Sequence, residues 1–222
     1  MLTLSHHPLL RLAVPAAVTA ALLVGPGVAQ AKVSASLSGS LLTLRGGKGP
    51  DQVTVVCRGD LVKVNGKNPR TGAIGCGKVS EVDAVTGSGN DRVNLSGVGT
   101  DNGFGQRDLP GGFGHGTGAA ADLGPGNDRF IGGKSAFNLA LGGPGVDHLT
   151  GGRFRDSLQG GSGNAGDDVL IGGAGADLLG GGAGMDRLFG GPGPDQLIGG
   201  PGKDRLNGGK GNNILVQDSP KK

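Results

Sequence analysis

A nine-residue phrase, GGxGxDxUx with U apolar, recurs through residues 142–216 and leaves few folds open to this chain. Its copies read GGPGVDHLT, GGRFRDSLQ, GNAGDDVLI, GGAGADLLG, GGAGMDRLF, GGPGPDQLI, GGPGKDRLN and GGKGNNILV. The acids fall at Asp147, Asp156, Asp168, Asp177, Asp186, Asp195 and Asp204, and Asn213 closes the series; the spacing is nine except for three extra residues near Asn164. Glycine supplies 25 of these 75 residues, which denies the stretch a conventional core and implies a backbone that bends at fixed intervals. A period of nine rather than three excludes a collagen helix. A flexible linker has no reason to hold an acid and an aliphatic residue at constant offsets.

Two positions after each acid position stands an aliphatic residue: Leu149, Leu158, Leu170, Leu179, Leu188, Leu197, Leu206 and Leu215. One inward side chain per repeat implies a strand of about three residues, too short to stand alone and obliged to stack on its neighbours as a solenoid. An ionised carboxylate without a partner is costly to bury, so the acids are expected on the turns and outside that interior. Stacked turns then form columns of like charge along both edges, unfavourable unless a cation sits among them. Carboxylates and glycine-turn carbonyls are oxygen donors only, a set that suits Ca²⁺ better than Mg²⁺.

The phrases GGAGADLLG, GGAGMDRLF, GGPGPDQLI and GGPGKDRLN resemble the RTX (haemolysin-type) calcium-binding nonapeptide of secreted bacterial proteins. The resemblance implies an all-β chain, a parallel β-roll or β-helix solenoid with calcium-binding GGxGxD turns, preceded by an irregular β-solenoid region. In such a roll two nonapeptides make one coil, and calcium lies between a turn and the second turn after it. Carried onto this chain, that rule pairs Asp168 with Asp186, Asp186 with Asp204, and Asp177 with Asp195. It also places the carbonyls of Gly173, Gly175, Gly182, Gly184, Gly191, Gly193, Gly200 and Gly202 in the calcium shells. Three flanking pairs depart from the pattern. Asp147 with Asp168 spans the insertion, Asp156 with Asp177 has Phe154 at the fourth position, and Asp195 with Asn213 lacks one charge.

Residues 1–31 read as a cleavable signal peptide: Arg11, an apolar run over residues 12–24, no acid, and Ala29-Gln30-Ala31 as the cleavage site. The apolar run is too short for a membrane span and contains Pro15, so the mature chain is expected outside the cell without a membrane anchor. Residues 32–98 are expected to form an irregular β-rich cap, with strands in SGSLLTL, QVTVV and DLVKV, residues 99–141 degenerate repeats and Gly-rich loops, residues 142–216 the roll, and residues 217–222 a tail. Asp51 and Asp91 hold the acid position of worn repeats but lie 40 residues apart with no equivalent nearby, which argues against a complete two-turn site; Asp128 sits in the phrase LGPGNDRFI, and a partner for it in the next coil is opposed by Phe137, which stands where that acid is needed. Cys57 and Cys76 are expected to form a disulfide, two buried free thiols being the alternative.

Nothing in the motifs supports an enzyme. Only His115 and His148 follow the leader, and no HExxH helix, GxSxG elbow or Cys with a His partner is present. Gly133-Lys134-Ser135 imitates the tail of a phosphate loop, but Asp128 stands where its first glycine belongs. The net charge of +3 is spread out, and a chain without Trp or Tyr has few platforms for stacking bases, so nucleic acid is not an expected partner. The expected ligand is calcium, and the expected role that of a structural or interaction module; an exported hydrolase-related protein with its site in residues 32–141 is the alternative.

Overall fold

A computed structural model describes residues 20–21, 33–69, 72–105, 107–108, 115–161 and 166–218. The expected leader and its cleavage site lie outside the described residues, except for Ala20–Ala21, which pairs antiparallel with Ser34–Ser38.

The chain is all-β, and its strands alternate between two sheets as it winds. One sheet stacks Leu41–Arg45, Glu81–Val85, His115–Asp122, Ala136–Leu141, Ser157–Gln159, Leu178–Gly180, Gln196–Pro201 and Ile214–Asp218 in parallel. The other stacks Gln52–Arg58, Arg92–Gly97, Arg129–Ile131, His148–Thr150, Val169–Ile171, Arg187–Pro192 and Arg205–Lys210. Antiparallel hairpins close the amino-terminal end: Ser34–Ser38 with Leu41–Arg45, and Gln52–Arg58 with Leu61–Val64. SGSLLTL is therefore not one strand, because Gly39, at φ +60°, turns the chain between Ser38, which ends one strand, and Leu41, which starts the next.

Register follows from the one aliphatic residue per repeat. Val53, Val93, Phe130, Leu149, Leu170, Leu188 and Leu206 face one another up one sheet. Leu44, Ala84, Ala121, Ala140, Leu158, Leu179, Leu197 and Leu215 do so up the other. All but the last rung of each column are buried. Leu215, expected inside, is 50 % exposed, since Ile214–Asp218 is the last strand of its sheet among the described residues. The eight-residue strand His115–Asp122, where composition suggests Gly-rich loop, forms because it is paired on both sides; Ala119 and Ala121 are small enough to pack there, and context overrides their weak strand preference. Cys57 and Cys76 are joined, tying the first long strand of the second sheet to the 3-10 turn Cys76–Lys78. Among the described residues no helix is long and apolar enough to cross a membrane.

Because each coil carries one leucine per sheet, loss of a mid-stack side chain leaves a void bounded by the rungs above and below. Leu188→Ala is expected to cost about 2–5 kcal/mol, and Leu215→Ala far less, in thermal or denaturant unfolding.

Candidate calcium-binding turns

Each GGxGxD turn places its glycines by three separate constraints. The first lies against the acid: a Cβ on Gly181 would stand 2.3 Å from Asp186 Oδ2 and 2.7 Å from the Gly199 carbonyl oxygen. The second and fourth lie against the preceding turn of the same edge. At Gly191 an added Cβ would meet the Gly173 oxygen at 1.9 Å, and at Gly193, with φ +146°, the Gly175 oxygen at 1.5 Å. No side chain fits these three places, and the second and fourth also take a positive φ, +113° at Gly191 and +146° at Gly193, that L-residues rarely adopt.

The acids form two ladders, one along each edge. On one edge the N–H of Asp147 donates to Asp168 Oδ1 at 2.8 Å, that of Asp168 to Asp186 Oδ1 at 2.8 Å, and that of Asp186 to Asp204 Oδ1 at 2.9 Å. On the other, Asp156 N–H donates to Asp177 Oδ1 at 2.8 Å, Asp177 N–H to Asp195 Oδ1 at 2.9 Å, and Asp195 N–H to Asn213 Oδ1 at 2.8 Å. These are the neighbours that the two-turn rule pairs. The three departures noted in the sequence do not break the ladders. The insertion falls inside a turn: Gly160, whose Cβ would lie 2.1 Å from Asp168 Oδ2, is the first glycine of that repeat, so the phrase does not begin at Gly163.

The acids are on the turns, but they are not outside the interior. Asp147, Asp156, Asp168, Asp177, Asp186 and Asp195 are at most 2 % exposed, because the next coil covers each one. The expectation of solvated acids fails because a turn amide satisfies one carboxyl oxygen and makes burial tolerable for that half of the group. The other half is left over: among the described residues, Oδ2 of Asp147, Asp168, Asp177, Asp186 and Asp195 is buried without a hydrogen-bond partner. Asp204 is only half-buried, and its Oδ2 accepts from Gln217 Nε2 at 2.7 Å. Asp156 is also satisfied, its Oδ2 accepting from the Gly152 N–H.

Main-chain oxygens complete the donor set. The carbonyls of Gly173, Gly175, Gly182, Gly184 and Gly193 accept no hydrogen bond among the described residues. That of Gly202 accepts from Gln217 Nε2 at 3.4 Å, and Gly191 and Gly200 lie at the ends of strands. No group of three or more His, Cys, Asp or Glu stands together among the described residues, so any cation here takes two carboxylates at most and carbonyls for the rest. Oxygen donors alone, in loops of adaptable backbone, fit Ca²⁺.

The ladders also run beyond the repeats that the sequence makes obvious. Asp51 N–H donates to Asp91 Oδ1 at 2.7 Å, Asp91 N–H to Asp128 Oδ1 at 2.7 Å, and Asp128 N–H to Asp147 Oδ1 at 2.8 Å. The separation of 40 residues thus hides adjacent rungs, since hairpin and loop segments lengthen the early coils. On the opposite edge Asn138, not Phe137, takes the rung before Asp156, and its N–H donates to Asp156 Oδ1 at 2.8 Å.

Burial raises the carboxyls of Asp156 and Asp168 to about 7 and those of Asp147 and Asp177 to about 6, against the turn amides that favour the ionised form. A carboxyl whose folded pKa is raised binds its proton more tightly folded than unfolded. Its contribution is present at low pH and is lost as pH rises through 6 to 7. With chelator present, the roll is therefore expected to melt at higher temperature near pH 5 than near pH 8, and calcium should reverse the order, as circular dichroism melts at the two values would show.

Residues 141–164, 162–186 and 180–215 match the family model described as the RTX calcium-binding nonapeptide repeat (4 copies). No curated protein and no solved structure was found to match the chain. RTX nonapeptide repeats bind Ca²⁺. The turns, the parallel two-sheet winding and this match agree: residues 141–215 are an RTX calcium-binding repeat tract, folded as a β-roll.

Proposed function

We propose that the chain is a secreted calcium-binding protein whose ions hold stacked turns together and drive the roll to fold, and that it serves as a structural or interaction module. The observation that carries this reading is the set of five buried Oδ2 atoms in the tract with no partner among the described residues, in turns where the carbonyls of Gly173, Gly175, Gly182, Gly184 and Gly193 accept no hydrogen bond there either. Asp168 with Asp186, Asp186 with Asp204, and Asp177 with Asp195 hold the ions between successive turns of an edge. Asp147 and Asp156 contribute at the amino-terminal end of the tract, and the glycine carbonyls of residues 173–202 supply the neutral ligands. Bound calcium supplies positive charge to oxygens that have no hydrogen-bond donor among the described residues.

The protein's own residues prepare the rest. The rung amides fix each Oδ1, so the carboxylate plane is set before an ion arrives. The glycines let turns approach closely enough for carbonyls of one to reach the acid of another. Without an ion, the ionised columns repel and the glycine-rich turns regain their entropy, so folding and binding are one event. Export suits that linkage, because a chain with weak sites stays loose where calcium is scarce and orders where it is abundant; residues 1–31 have the composition of a leader that would direct it.

A calcium titration of the chelated protein followed by circular dichroism is expected to show a cooperative gain of β signal, with its midpoint on the order of 10⁻⁴ to 10⁻³ M. Magnesium should not substitute. A spectrum unchanged at millimolar calcium would refute the coupling of folding to binding.

A further inference from the structure

The turn geometry of the matched tract continues on one edge into residues that the repeat family does not cover. Residues 46–51, 86–91 and 123–128 stack on residues 142–147 through the inter-turn bonds that the tract uses. Gly49 N–H donates to the Ser88 carbonyl at 2.6 Å, Gly89 N–H to that of Pro125 at 2.9 Å, and Gly126 N–H to that of Pro144 at 2.9 Å. Their counterparts in the tract are Gly175 to Pro192 at 3.0 Å and Gly184 to Pro201 at 3.1 Å. The backbone matches as well: Gly89 and Gly175 both have φ +139°. The carbonyls of Gly87, Gly89, Gly124 and Gly126 accept no hydrogen bond among the described residues.

The acids repeat the same deficit. Asp51, Asp91 and Asp128 are at most 2 % exposed. Turn amides satisfy one oxygen of each: Asp51 Oδ2 accepts from Gly47 N–H, and Asp91 and Asp128 accept at Oδ1 from the rung before. Asp51 Oδ1, Asp91 Oδ2 and Asp128 Oδ2 are buried with no partner among the described residues. A like-charged column with one unsatisfied oxygen per rung is unfavourable here for the reason that it is unfavourable in the tract.

We propose that the calcium column of this edge extends through Asp128, Asp91 and Asp51, with sites between the turns of residues 46–51, 86–91, 123–128 and 142–147. The proposal rests on the calcium reading of the tract and adds sites where no repeat was matched. The first position of two of these turns is not glycine. Thr86 stands there before Asp91, with its hydroxyl donating to the Leu123 carbonyl at 3.0 Å, and Leu123 stands there before Asp128. These shells therefore draw on the second- and fourth-position carbonyls.

The opposite edge shows how a column ends without an ion. Asn138 Nδ2 donates to Asp156 Oδ1 at 2.8 Å and to the carbonyls of Gly133 at 3.1 Å and Ala136 at 3.2 Å. The amide there supplies a donor to the second-position glycine carbonyl, whose counterparts at Gly173 and Gly182 lack one among the described residues. The two edges consequently carry different numbers of ions, with the longer column reaching the disulfide-tied end.

Equilibrium dialysis of radioactive calcium against the full chain tests this, comparing wild type with Asp91→Asn and Asp186→Asn. Asparagine is accepted at a rung, as Asn138 and Asn213 show, so both variants keep the ladder bond. Each is expected to bind at least one calcium fewer than wild type at millimolar ion. If Asp186→Asn loses calcium and Asp91→Asn does not, the column stops at Asp147 and the proposal falls while the tract reading stands; if neither loses calcium, both fall. Hydrogen exchange of wild type gives a readout independent of variant folding. Calcium should slow exchange of the Asp51 and Asp91 amides, and rates unchanged by calcium at these two positions would overturn the extension.

Discussion

Everything in this roll turns on a carboxylate that is half satisfied. Each buried Asp accepts a hydrogen bond from a main-chain amide, of the turn before on every rung except that of Asp51, where Gly47 donates; this fixes its position, and on most rungs its other oxygen finds no donor among the described residues. A carboxylate sealed from water in that state is costly, and stacking several in a column adds repulsion. Two species can relieve it, a proton or a cation. Burial raises the carboxyls of Asp128, Asp156 and Asp168 to about 7, so a proton competes for them in neutral solution. The ladder bond orders the acids but does not neutralise them, and that separation lets an external ion decide whether the turns stack.

The leucine columns and the acid columns do different work. Leucines 149, 170 and 188 in one sheet, and 158, 179 and 197 in the other, bury one side chain per coil and set the register. That is little apolar area for the backbone that must be ordered with it, so burial alone is a weak driving force for so glycine-rich a chain. The glycines cannot be exchanged for better formers of structure, because the places their side chains would take are filled by the acid and by carbonyls of the neighbouring turn. The geometry that makes room for an ion is thus the geometry that weakens the fold without one.

Much of this was legible in the sequence where the period is regular. The nine-residue spacing identifies the solenoid, the inward leucines and the acid pairs of residues 168–204, because each of those features is a constant offset. What the spacing could not show was burial of the acids, since nothing in a phrase reveals that the next coil covers its turn. Nor could it show that Asp51, Asp91 and Asp128 are adjacent rungs, because a hairpin such as Gln52–Arg58 with Leu61–Val64 adds residues to a coil without changing its rise. Asn138 was missed for a related reason. Its turn carries one residue more than the phrase, and counting nine from the neighbouring repeat lands on Phe137.

If unsatisfied, mutually repelling carboxylates are what make the roll depend on calcium, then removing their charge should remove the dependence. The most direct measurement is the thermal melt, in chelator at neutral pH, of a variant with Asp51, Asp91, Asp128, Asp147, Asp156, Asp168, Asp177, Asp186, Asp195 and Asp204 all replaced by Asn. Each amide could donate to free carbonyls as Asn138 does. The account predicts a cooperative β melt in chelator that added calcium does not shift. A variant that stays unfolded in chelator, or that still requires calcium to fold, would contradict it.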